Sequence, residues 1–92
     1  MQPDQAELIA IQALGHIAAD EDLLFAFLDI TGLSPDDIRA RGGDAEILGG
    51  VLDFILMDER RLLAFCEAAG LNPELPGRAR GLLPGGEEVH WT

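Results

Sequence analysis

The chain has 92 residues, nearly half apolar and a quarter charged, a balance too apolar for a disordered segment and suited to one folded domain. Seventeen acids face six arginines and no lysine, and the resulting formal net charge of −11 repels phosphate backbones and sets nucleic-acid binding aside. Cys66 is the only cysteine, so neither an intramolecular disulfide nor a cysteine metal cluster is possible within the chain.

Pro3-Asp4 opens a first amphipathic helix over residues 1–19, with Leu8, Ile11, Leu14, Ile17 and Ala18 at three- and four-residue steps. Asp20-Glu21-Asp22 ends it and supplies the cap and first-turn acids of a second helix. That helix carries Leu24, Phe27, Leu28 and Thr31 on one stripe, and Gly32 is placed to end it in a left-handed conformation. Ser34-Pro35-Asp36-Asp37 is a cap, a first-position proline and first-turn acids, and so starts a short third helix ending at Arg41-Gly42-Gly43.

Asp44 is placed to cap a fourth helix, Ala45 to Met57, in which Ile47, Leu48, Val51, Leu52, Phe54, Ile55 and Leu56 cover most of the circumference. A helix that apolar belongs at the centre of the fold. The run also holds Asp53 and falls short of the roughly 18 to 20 apolar residues that a bilayer span needs. Its polar stripe runs through Glu46, Gly49, Gly50, Asp53 and Met57. Each helix-interior glycine costs about 1 kcal/mol relative to alanine, so the adjacent pair implies a close approach to the backbone, by another helix or by a second chain. Asp58-Glu59 starts a fifth helix with Leu62, Phe65, Cys66 and Ala69 on its stripe, Gly70 ends it, and Asn72-Pro73-Glu74 starts a sixth. Pro76 is tolerable there because first-turn amides lack intrahelical partners. Beyond Pro84 periodicity stops, and residues 85–92 read as a tail.

Much of this occurs twice. With an offset of 38, ten of the 22 positions from Leu14 to Pro35 are identical to those from Leu52 to Pro73, among them Asp20/Asp58, Phe27/Phe65 and Gly32/Gly70. After a one-residue slip Arg39-Ala40-Arg41-Gly42 matches Arg78-Ala79-Arg80-Gly81. An internal duplication, 14–42 against 52–81, therefore implies an all-α domain over residues 1–84, six short helices in two homologous three-helix halves. One half alone is too small to hold a stable core, so the halves must share one. The matching apolar pairs are expected to meet across a pseudo-twofold axis.

Chemistry finds few candidates. Ser34 is used as a cap and Cys66 as core, while His16 matches Phe54 of the second half and reads as a histidine at the core edge. His90 stands alone in the tail. Neither Asp20 nor Asp58 begins a calcium loop, since the sixth position counted from each is Phe25 or Leu63 instead of glycine. Gly42-Gly43 and Gly49-Gly50 lack the lysine and the preceding strand of a phosphate loop. The turn at Gly32 to Ile38 is superficially that of a helix-turn-helix, but two aspartates stand where a recognition helix would meet phosphates. No cofactor or metal is expected.

The pattern Asp-Glu-x-x-Leu-x-x-Phe-x-x-x-x-Gly-Leu-x-Pro, at Asp20 to Pro35 and again at Asp58 to Pro73, resembles a family of short bacterial proteins of unknown function. The resemblance runs from about Leu8 to Pro84 and implies a small all-α cytosolic protein without assigned catalytic residues. The leading expectation is a non-enzymatic interaction module that presents an acidic surface to a protein partner or to its own copy. The second is a regulator that meets a basic protein surface by acidic complementarity. An enzyme or metal protein built on His16 and nearby acids stands third. The expected contact surface lies where the second half departs from the repeat: Gly49 and Gly50 stand for Ile11 and Gln12, Arg60 and Arg61 for Asp22 and Leu23, with Asp53 beside the glycines. With no basic-plus-apolar leader pattern, a cytoplasmic setting is the default expectation.

Overall fold

The computed structural model describes residues 1–84 and is all-helical over them. Its six helices are α1 (Pro3–Ala18), α2 (Glu21–Thr31), α3 (Pro35–Arg41), α4 (Ala45–Leu56), α5 (Glu59–Ala69) and α6 (Leu75–Gly81). The expectation about the tail at 85–92 falls outside the described residues.

Helix ends follow the local chemistry. The Asp20 carboxylate accepts from the Leu23 amide at 3.1 Å, and the Asp58 carboxylate accepts from the Arg60 amide at 2.8 Å. Ser34 and Asp37 exchange side-chain-to-amide bonds of 3.1 and 2.9 Å, a reciprocal cap that satisfies two amides at the start of α3. Donation from the Ser34 amide, and then from its hydroxyl, holds the Asp37 carboxyl below the usual carboxylate range. That contribution to the cap is present above the unfolded carboxyl's range and is lost as pH falls through the lowered folded value. Gly32 and Gly70 end α2 and α5 at φ of 76° and 70°, where an L side chain is strained.

Two ends differ from expectation. Asp44 precedes α4 but makes no side-chain cap bond; its carboxylate accepts from Arg41 Nε at 3.2 Å instead. The sixth helix begins at Leu75, not Pro73, because Asn72 Oδ1 accepts from the Glu74 amide at 2.9 Å and holds a turn ahead of it. Asp58→Ala is therefore expected to lose about 1 kcal/mol in urea melts and Asp44→Ala less than half of that, since only the former removes a cap.

α4 is central, as its composition requires. Ile47, Leu48, Val51, Leu52, Phe54 and Ile55 are all buried, and the helix touches α1, α2, α5 and α6. α1 packs on it and on α6 and buries Ala6, Ile9, Ala10, Ala13 and Ile17. The expected α1 stripe is thus rotated. Leu8 and Ile11, placed inward by their spacing, are 56% and 50% exposed, because a stripe of alanines lets α1 approach α4 and α6 more closely than leucines would. Burial on α2 and α5 is similarly narrow: Phe27 is buried with Leu24 and Leu28 only half so, and Phe65 and Cys66 are buried with Leu62 half so.

The aromatic contacts cross between the two triplets. Phe27 of α2 packs edge-on against Phe54 of α4, with centroids 5.3 Å apart at 74°. At the matching positions Phe65 of α5 packs against His16 of α1, 5.5 Å apart at 58°. The third helices break the correspondence. α6 lies against both α1 and α4 and buries Pro76 and Ala79, whereas α3 buries no residue.

Candidate functional site

The polar stripe of α4 differs from the matching positions of α1, and α6 explains it. Asp53 faces α6, and its carboxylate accepts two bonds from one guanidinium, Arg80 Nε to Oδ1 at 2.6 Å and Nη2 to Oδ2 at 3.1 Å. Arg80 Nη1 also donates to the Pro84 carbonyl at 2.9 Å, so a single side chain ties α4 to the end of α6. The fork geometry suits this, since arginine offers donors in two directions from one plane.

Gly49 lies one turn before Asp53 on the same stripe. A Cβ there would stand 3.0 Å from Arg80 Nη1, 3.2 Å from its Cζ and 3.3 Å from the Pro84 carbonyl oxygen. The close approach inferred from the glycine pair is thus intramolecular at Gly49: the guanidinium lies where a side chain would be. Gly50 differs. It is half-buried, and a Cβ there would meet nothing within 4 Å. Gly50→Ala is therefore expected to raise stability by about 0.5 to 1 kcal/mol through helix propensity alone, measured by urea or thermal unfolding.

Arg61 also turns inward. Its Nη1 donates to the Phe54 carbonyl at 3.0 Å, satisfying a carbonyl in the last turn of α4, and its Cζ lies 3.9 Å from the Phe54 ring centroid. Arg60 is exposed beside it. Of the five residues expected to form a contact surface, Gly49, Asp53 and Arg61 thus carry intramolecular contacts, while Arg60 is exposed and Gly50 faces open space. The sequence had no signal for Arg80 as the partner of Asp53 and Gly49; its counterpart Arg41 bonds Asp44, three residues away.

His16 is half-buried with its ring against Phe65, in the position that Phe54 occupies against Phe27. Among the described residues no three His, Cys, Asp or Glu side chains are grouped to hold a metal ion. Burial pushes the Cys66 thiol up from its ordinary range, away from the thiolate that reacts. No helix among the described residues is long and apolar enough to cross a membrane.

A concavity lies elsewhere, a groove of about 450 Å³ between the outer face of α1 and the Leu71–Arg78 segment. Met1, Leu8, Ile9, Leu71 and Leu75 form its apolar lining, with Gln5, Gln12 and Arg78 as its polar atoms. The outward Leu8 that the spacing had placed in the core is one of its walls.

Arginine pairing leaves the net charge unchanged and decides which acids stand without a cation beside them. Arg39 bonds Asp36, Arg41 bonds Asp44, Arg78 bonds Glu74 and Arg80 bonds Asp53, so four of the six arginines are engaged by acids of the same chain. The other acids of the described residues outnumber the remaining arginines several-fold.

Neither the curated proteins nor the solved structures include one that matches this chain. A family model does: residues 3–86, nearly the whole chain and both occurrences of the Asp-Glu-x-x-Leu-x-x-Phe pattern, match the one described as a protein of unknown function, DUF3572, and the chain belongs to that family.

Proposed function

We propose that this protein is a non-enzymatic interaction module whose acidic surface meets a protein partner. The observation that carries the reading is the acidic excess that remains after pairing: four arginines are closed in ion pairs and Arg61 is folded onto Phe54, while eleven of the fifteen acids among the described residues pair with no arginine. Such an excess favours encounter with a basic protein surface and disfavours another copy of itself. This puts the acidic-complementarity reading ahead of self-association as the form the module takes.

A duplication origin is part of the same proposal. Matching caps at Asp20 and Asp58, matching left-handed glycines, and the crossed contacts Phe27–Phe54 and Phe65–His16 are what two copies of one triplet would leave. In it His16 is a packing residue occupying a phenylalanine position. His16→Phe is expected to keep partner binding and hold stability within about 1.5 kcal/mol, since the larger apolar ring repeats the Phe27–Phe54 contact.

Affinity capture of the tagged protein from a lysate of its source organism, at low and at high salt, tests the proposal. The expected result is one stoichiometric partner with a basic surface, lost at high salt as exposed charges are screened. Recovery of the protein alone at low salt, or of a partner indifferent to salt, overturns the electrostatic reading.

A further inference from the structure

We draw no further inference here: the strongest candidate, the groove of about 450 Å³ between the outer face of α1 and the Leu71–Arg78 segment, is an unpartnered and mostly apolar face whose lining guanidinium, Arg78, already bonds Glu74, and nothing in the structure shows what covers it.

Discussion

Phe54→Ala is expected to lower unfolding free energy by about 3 to 5 kcal/mol, against the roughly 5 to 15 kcal/mol that holds a small domain folded. The side chain is 1% exposed and sits where α4 receives two other elements. Phe27 of α2 meets its ring edge-on, and the Arg61 guanidinium of α5 covers its face. Truncation leaves a cavity that neither neighbour can fill without leaving its own helix position. Thermal melts of the variant should show a midpoint lower by 12 °C or more, at about 4 to 8 °C per kcal/mol for a domain of this size, or no cooperative transition. Phe27→Ala and Phe65→Ala belong to the same class, since both rings are buried. A loss below about 1 kcal/mol would show that Phe54 is not packed as described.

The second large effect is expected at Gly49. On an exposed helix face, replacing glycine would gain up to about 1 kcal/mol of helix propensity. Here Gly49→Leu must displace the Arg80 guanidinium, and it presses on the Pro84 carbonyl oxygen, a backbone atom and not the end of a flexible side chain. Overpacking of this kind costs about 1 to 3 kcal/mol, so the sign reverses and the variant is destabilised. Arg80→Ala alone should lose about 1 to 3 kcal/mol, because it removes charge-assisted bonds to Asp53 and to the Pro84 carbonyl. Residues sharing one contact are not additive, so in the Arg80→Ala background the Gly49→Leu penalty should shrink to what the Pro84 carbonyl alone imposes. Urea denaturation of the four proteins in this cycle measures the coupling. Full additivity would mean that Gly49 and Arg80 do not meet.

Along the chain, the signals that proved accurate were those whose physics is confined to a few consecutive residues. Ser34-Pro35 starts α3, Asp20 and Asp58 cap α2 and α5, and Gly32 and Gly70 end them, because each satisfies or frees a backbone group within reach of its own side chain. The central place of α4 was also legible, since a helix apolar on nearly every side has no stable position at a surface. Facing was harder. In α1 the period admits two stripes, and the larger side chains of Leu8 and Ile11 lie on the exposed one, while Leu14 packs half-buried at the edge of the core. The alanine stripe wins because α4 and α6 both have to approach α1.

An all-helical structure, the recurrence of the helix-end signals and the excess of acids over arginines could all be read along the chain. Those follow from local backbone chemistry, from periodicity and from the count of charges. Which side chains meet across the fold was set by packing. Arg41 and Arg80 occupy matching positions, yet one bonds an acid three residues away and the other reaches across 27 positions to Asp53. Where Asp53 and Gly49 stand in α4, α1 has Gly15 and Ile11, which offer neither a carboxylate nor room for a guanidinium. α6 is therefore clasped to the core and α3 is not, a difference set by pairs of residues far apart in the chain.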